Sequence, residues 1–198
     1  MRLILRTVGI VFVIFLYGCA AQVLSSKKSD NWTGTVSGIN IIFVDSNLSS
    51  RQGRADTASR QVNTANQNRQ DFGIHVVEKL PLRFNDVGIS SEAKSLPAAS
   101  VPSNAAGYSN LFGNNKSNTP ILFVNPTSAS STCSSLGCQT SFVVQTNLID
   151  PQTGKSIWFA TISLPSQASV MSSYSTVVDK LGEAILKRLR TDGIVEQK

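Results

Sequence analysis

The side chains that most often carry catalysis are sparse in this sequence. His75 is its single histidine, and the apolar spacing around it predicts a position close to the buried face of a helix, where a structural histidine is expected. The sequence holds neither a Gly-x-Ser-x-Gly elbow nor a glycine-rich phosphate loop. Its 12 carboxylates are scattered and form no cluster of metal ligands. We therefore predict that the chain is not an enzyme and that it needs neither a metal nor a cofactor.

One fragment has the beginning of a calcium-binding loop. It starts at Asp45, and Asn47 and Ser49 occupy its third and fifth positions. However, Ser50 stands where the sharp turn of such a loop needs glycine, and Asp56 stands where the loop needs a bidentate glutamate. We predict no metal site here.

The N-terminus has the pattern of a secretory signal peptide. Arg2 and Arg6 precede an apolar run over residues 8–17, and the run ends at Gly18. This run is about half as long as the ~20 apolar residues that a membrane-spanning helix needs. Cleavage is the expected outcome, and an uncleaved anchor helix is the alternative.

The end of this segment, Leu16-Tyr17-Gly18-Cys19, resembles the lipobox of bacterial lipoproteins. The resemblance implies diacylglycerol on the Cys19 thiol, cleavage before Cys19 and anchoring of the chain in a membrane. Ala20 follows where a retention signal for the inner membrane would place aspartate, so the expected location is the periplasmic face of the outer membrane. We therefore predict a signal peptide at residues 1–18.

Two segments are expected after the cleavage site. Residues 19–37 are rich in Ser, Lys, Asn, Thr and Gly, which predicts a lipidated N-terminus with a flexible tether. Residues 38–198 are long enough for a single globular periplasmic domain with its own core.

With Cys19 assigned to lipid, Cys133 and Cys138 remain as a pair. The periplasm oxidises thiols, so a structural disulfide is expected between them. A metal-binding pair and a redox-active dithiol are the alternatives, but the four-residue spacer is not the usual redox motif.

The charge of the mature chain is mild. Removal of Arg2 and Arg6 with residues 1–18 leaves 16 of the 18 basic residues against 12 acidic ones. An exported protein with this balance is not expected to bind nucleic acid. The one basic cluster, residues 187–190, is predicted to be the solvated end of a helix, with an acidic partner or a lipid head group as the alternative.

Apolar runs predict the strands. Residues 39–45 and 121–124 are nearly continuous in apolar side chains, which is typical of buried strands. Residues 142–149 are expected to form a hairpin with a return strand that carries Trp158, since the Pro and Gly of residues 150–154 favour a turn.

Helical spacing of apolar residues predicts two long helices, over residues 55–80 and 170–189. Pro81 is expected to end the first, and Gly193 is well placed to cap the second. The predicted fold is α+β, with a mixed sheet of about four strands and two long helices packed on it, in the order β-α-loop-β-β-β-α.

Residues 97–118 are predicted to form a long loop, which is usually functional or mobile in a compact domain. Within it Tyr108, Leu111 and Phe112 form a small apolar group, the loop cluster. The loop cluster either folds back on the core of the domain or contacts a partner, and we name it as a possible partner-binding site.

The hairpin carries the motif Thr153-Gly154 followed by Trp158. This motif, with the helix after it, is similar to a pattern in activators of penicillin-binding proteins and in related small envelope lipoproteins. The similarity covers residues 141–195 and implies a non-enzymatic accessory module with an α/β domain.

The sequence therefore predicts a membrane-anchored lipoprotein that binds a protein of the cell envelope as an assembly module. The alternative is a protein that binds a small ligand or glycan in a pocket under residues 97–118. Polar residues in a concave pocket would favour the ligand, whereas an exposed apolar patch would favour the protein partner.

Overall fold

The structure is a computed structural model that describes residues 21–45, 57–113, 118–134, 137–164 and 174–196, with the backbone alone for residues 57–66, 131–134 and 137–140. Its strands are β1 (Gln22–Lys28), β2 (Asn40–Asp45), β3 (Ala93–Pro97), β4 (Ile121–Ser134), β5 (Gly137–Ile149) and β6 (Ser156–Leu164). Its α-helices are α1 (Thr57–Asp86), α2 (Ala105–Ser109) and α3 (Tyr174–Thr191), and a 3₁₀ turn spans Ala98–Ser100.

The strands form one six-stranded mixed sheet in the order β1-β6-β5-β4-β2-β3. β2 is parallel to both of its neighbours, β3 and β4, whereas β4, β5, β6 and β1 pair antiparallel in succession. The α+β class is as predicted. The predicted number of about four strands is wrong, because the two edge strands β1 and β3 were missed.

Helices α1 and α3 pack together on one face of the sheet, the helix face, and enclose the main core. Strand β2 alternates between the two faces: Ile41 and Phe43 lie in the main core, whereas Ile42 and Val44 lie in a second apolar cluster. We call this second side the free face. The hairpin of β5 and β6 is as predicted, and its Trp158 is fully buried in the main core.

Residues 21–37 do not form the predicted flexible tether. Seven of these residues form β1, which pairs along β6. Trp32 packs against the main core, and the backbone N–H of Val36 donates to the carbonyl of Ile194 at 2.9 Å. An edge strand needs hydrogen bonds on one side only, so a mostly polar sequence can form it.

Helix α1 continues past Pro81, which was expected to end it. Proline removes one hydrogen bond of a helix, yet Pro81 is buried and the next turn brings Phe84 fully into the main core. Burial of such a side chain contributes about 1.5–3 kcal/mol, which is comparable with the cost of the proline.

Position 73 of α1 holds a glycine because the ring of Phe43 occupies the space that a side chain would need. A Cβ atom on Gly73 would lie 2.8 Å from Cδ1 and 2.9 Å from Cζ of the Phe43 ring. In an open helix alanine is more stable than glycine by about 0.5–1 kcal/mol. Here we expect Gly73→Ala to lower the free energy of unfolding by about 1–3 kcal/mol, because it overpacks the core.

Urea denaturation of the variant measures this effect. Gln70→Ala is the matched control, since Gln70 is exposed on the same helix and its replacement should stay within about 0.5 kcal/mol of wild type. An increase in stability on Gly73→Ala would contradict the packing of Phe43 against α1.

Candidate functional site

The loop cluster lies on the free face of the sheet. Tyr108 is 9% exposed and packs with Phe123 edge to face, with ring centroids 5.8 Å apart. Leu111 and Phe112 are partly buried against the same cluster. Of the two interpretations of these residues, the structure therefore shows the packing on the domain's own core. A partner contact by their remaining exposed surface stays a prediction.

Hydrogen bonds to its own residues and to neighbouring elements hold α2 in this position. The Asn104 side chain caps the helix by accepting from the Gly107 N–H at 2.9 Å. The Ser109 hydroxyl lies 3.0 Å from the Ala105 carbonyl and 3.1 Å from the Pro151 carbonyl, so its single proton is shared between α2 itself and the turn between β5 and β6. The Lys94 ammonium donates to the carbonyl of Leu111, so β3 also supports the segment.

Beside the loop cluster a groove opens on the free face, with a volume of about 390 Å³. Its lining combines three amide side chains with three aromatic rings and four aliphatic side chains. The amides are those of Asn125, Gln145 and Asn147, the rings those of Tyr108, Phe123 and Phe159, and the aliphatic side chains those of Val44, Ala98, Val101 and Ile149. None of these residues carries a charge.

Strand pairing arranges the groove residues in two rows. Phe123 of β4, Asn147 of β5 and Phe159 of β6 lie directly opposite one another, so one amide stands between two rings. In the neighbouring row Asn125 lies opposite Gln145. Directly opposite Cβ atoms are about 4.5–5.5 Å apart, so a ligand that crosses the strands can contact one whole row.

A buried guanidinium supports the first amide of the groove. Arg69 of α1 is 2% exposed and donates to the Asn125 side-chain oxygen at 3.3 Å. Burial lowers the pKa of Arg69, and the Asp45 carboxylate opposes this effect. Since a guanidinium can only donate, its bond identifies the oxygen of Asn125 and leaves the amide N–H₂ as the group that a ligand can use.

A hydroxyl supports the amide of Asn147 in the same way. The Ser156 Oγ donates to the Asn147 Oδ1 at 2.6 Å. A side chain that is held by a neighbour loses less conformational entropy on binding a ligand. The groove therefore presents oriented amide groups beside ring faces, an arrangement that can bind an uncharged polar molecule.

His75 lies away from the groove. It belongs to α1, on the helix face, and its Nδ1 is 4.0 Å from Oε2 of Glu78. Among the residues that the structure describes, no three His, Cys, Asp or Glu side chains are grouped as metal ligands would be. The calcium-like fragment after Asp45, residues 46–56, lies outside the described residues.

Cys133 and Cys138 are opposite residues in the ladder between β4 and β5. Opposite residues of antiparallel strands have Cα atoms about 4.5 or 5.5 Å apart, and a disulfide accepts about 4.4–6.8 Å. This backbone pairing is compatible with the predicted disulfide, which stays a prediction.

We expect mass spectrometry of the unreduced protein from oxidised periplasm to show a Cys133–Cys138 peptide lighter than the dithiol by two hydrogens. Replacing both cysteines by Ser should lower the free energy of unfolding by about 2 kcal/mol on the chain-entropy model without preventing folding. Two thiols that react freely with an alkylating reagent in such material would contradict the disulfide.

Cys19 and the whole signal segment lie outside the described residues. Over the described part of the chain, no helix is both long and apolar enough to cross a membrane.

Sequence reasoning did not find the groove amides. Gln145 and Asn147 are two residues apart in β5, which places them on one face of a strand. This spacing was an available signal. Their meeting with Asn125 depends on the pairing of β4 with β5, which a single sequence does not show.

Neither a family model nor a curated protein matches this chain. Among solved structures, PelC from Paraburkholderia phytofirmans, a dodecamer, aligns over 89% of this chain and 99% of its own at 12% identity and a TM-score of 0.47. Lipoprotein GNA1162 from Neisseria meningitidis aligns over 78% and 99% at 13% identity and a TM-score of 0.36. A neuraminyllactose-binding hemagglutinin homolog from Helicobacter pylori aligns over 83% and 95% at 10% identity and a TM-score of 0.34. At these values we infer neither the fold nor the function of this chain from them.

Proposed function

We propose that the chain is a lipid-anchored, non-catalytic binding module of the bacterial envelope, and that its groove on the free face binds a neutral polar ligand of the oligosaccharide class. The row in which Asn147 stands between Phe123 and Phe159 carries this proposal. The ligand alternative predicted from the sequence is thus favoured over the protein partner, because a concave pocket with polar side chains lies beside the loop cluster.

The chemistry of a sugar matches this row. A sugar ring has an apolar C–H face, which can stack on an aromatic ring, and hydroxyl groups, which both donate and accept hydrogen bonds. Amide side chains offer both functions in one group. An anionic or cationic ligand would find no opposite charge among the lining residues, and its desolvation would oppose binding.

Lipid on Cys19 would place the groove close to the membrane surface. The outer membrane is the proposed location, with the domain on its periplasmic face, and the signal segment and lipobox support this assignment. A glycan-binding module at this place would meet the polysaccharides of the envelope.

Isothermal titration of the full-length protein in detergent with neutral hexasaccharides of glucose and of N-acetylglucosamine tests the ligand class. We expect one of them to bind, and we expect Gln145→Ala and Phe159→Ala each to weaken binding about tenfold or more, which equals about 1.4 kcal/mol. Gln145 is exposed, so its variant should keep the melting temperature of wild type.

Gln70→Ala on the helix face is the matched control, because it removes the same side chain outside the groove. Absence of binding to both hexasaccharides, or equal affinity for wild type and both groove variants, would refute the proposal. Stronger binding of a charged saccharide would refute the uncharged ligand class.

A protein partner of the envelope is the second candidate function. The observation that favours it is the outer surface of α1, where Ile74 is 55% and Leu82 is 59% exposed. A pull-down from detergent-solubilised membranes with wild type and Ile74→Asp tests it. A partner that wild type and Ile74→Asp retain equally does not bind this surface.

A further inference from the structure

Strand β1 determines where the chain leaves the domain toward its lipid. It begins at Gln22, three residues after Cys19. A fully extended chain advances at most ~3.6 Å per residue, so the Cα atoms of these two residues are at most about 11 Å apart. A lipid on Cys19 therefore holds the beginning of β1 next to the membrane.

A group of polar contacts, the β1 clasp, attaches this strand to the end of α3. The Asp192 Oδ2 accepts from the Ser26 hydroxyl at 3.0 Å, from the buried Trp158 Nε1 at 2.7 Å and from the Arg188 Nε at 3.2 Å. The Lys28 ammonium donates to the Gly193 carbonyl at 3.3 Å. The short connection to Cys19 thus joins an ordered edge of the domain.

The strand pairing shows which end of the sheet carries the connection to Cys19. Gln22 of β1 is opposite Ser163, Ser163 is opposite Val143, and Val143 is opposite Ser128. β6 ends one residue beyond this row, at Leu164, whereas β4 and β5 continue together. We call this two-stranded continuation, residues 130–134 and 137–141, the hairpin arm.

The hairpin arm extends farther than the connection to the lipid can. From Ser128 to Ser134 the strand advances six residues, which corresponds to about 20 Å at ~3.4 Å per residue. The connection from Gln22 to Cys19 spans at most about 11 Å. If the strands run toward the membrane at this end of the sheet, the hairpin arm reaches the headgroup layer.

The composition of the hairpin arm suits that position. Lys116 and Asp150 are separated by a stretch with no Asp, Glu, Lys or Arg, which includes the whole arm. The two edge strands of the sheet carry lysines, Lys27 and Lys28 in β1 and Lys94 in β3, a usual protection of exposed edges. The hairpin arm has no such lysine, which is expected if a lipid surface covers it.

We infer that the hairpin arm lies against the headgroups of the membrane that holds the Cys19 lipid, with the turn at residues 150–155 on the far side of the domain. This inference rests on the proposed lipid anchor, but it does not depend on which ligand the groove binds. It assigns the arm a lipid surface as its partner.

Photocrosslinking in intact membranes tests the inference. p-Benzoylphenylalanine replaces Ser130, which is exposed in the arm, or Lys155, which is exposed in the far turn. We expect the full-length protein with the probe at position 130 to crosslink to radiolabelled phospholipid at least fivefold more than the protein with the probe at position 155. A palmitate analogue in the same cells reports lipid on Cys19.

The outcomes separate the two claims. Equal lipid crosslinking at both positions, or crosslinking of position 130 to a protein instead, with Cys19 labelled, would overturn the position of the arm and leave the anchor intact. Absence of label on Cys19 would overturn both. A strong excess of phospholipid at position 130 with Cys19 labelled is the result that supports the inference.

Discussion

Replacing Cys19 by Ser is expected to abolish lipid attachment completely. The thiol of Cys19 is the atom to which the resemblance to the lipobox assigns diacylglycerol, and a serine hydroxyl does not replace it. The lipoprotein peptidase is expected to leave the variant uncleaved, so the variant should keep residues 1–18 and run as a larger chain than wild type. Metabolic labelling with a palmitate analogue measures the loss of lipid, and gel electrophoresis of the same samples measures the retained signal segment.

Cys133→Ser is the matched control, because it also removes a thiol but outside the lipobox. It should keep full labelling. Equal labelling of wild type and Cys19→Ser, or loss of labelling in the control, would show that the lipid is carried elsewhere.

Replacing Tyr108, Leu111 and Phe112 together by Ser is expected to lower the melting temperature strongly. Truncation of one large buried side chain costs about 3–5 kcal/mol, and 1 kcal/mol corresponds to about 2–4 °C at this chain length. Because Tyr108 is buried against Phe123, we expect a decrease of at least about 6 °C. Thermal melts followed by circular dichroism measure it.

Ile74→Ser is the matched control for this triple variant. Ile74 is a large apolar residue that stays 55% exposed on α1, and Ile and Ser have similar helix propensities. Its melting temperature should stay within about 2 °C of wild type. An unchanged melting temperature of the triple variant would mean that the loop cluster does not pack on the domain.

The main core was largely predictable because its signal is local. Val177, Val178, Leu181, Ile185 and Leu189 repeat with the period of a helix, and all of them are buried in α3. The strands β2 and β4 were recognised from continuous apolar runs. The turn before β6 was recognised from its proline and glycine, and Gly154 has the positive φ of 69° that such a turn favours.

Only the tertiary structure decided the elements whose stability comes from distant partners. β1 is a mostly polar segment that becomes a strand because β6 offers it hydrogen bonds and Asp192 holds Ser26. In the sequence, Gly73 only lowers the helix propensity of α1. The structure shows that the ring of Phe43 packs in the space beside it. In each case the stabilising contact joins residues far apart in the chain, and the periodicity of one segment carries no information about it.

The candidate site residues were likewise predicted only in part from the sequence. The sequence was enough to name Cys19 and the pair Cys133 and Cys138. The lipobox consists of consecutive residues, and two cysteines remain once Cys19 is assigned to lipid. The groove could not be named, because Asn125, Asn147 and Phe159 come from three strands. Their alignment depends on a strand register that the packing of both faces selects, since a shift of one residue would turn every side chain to the opposite face.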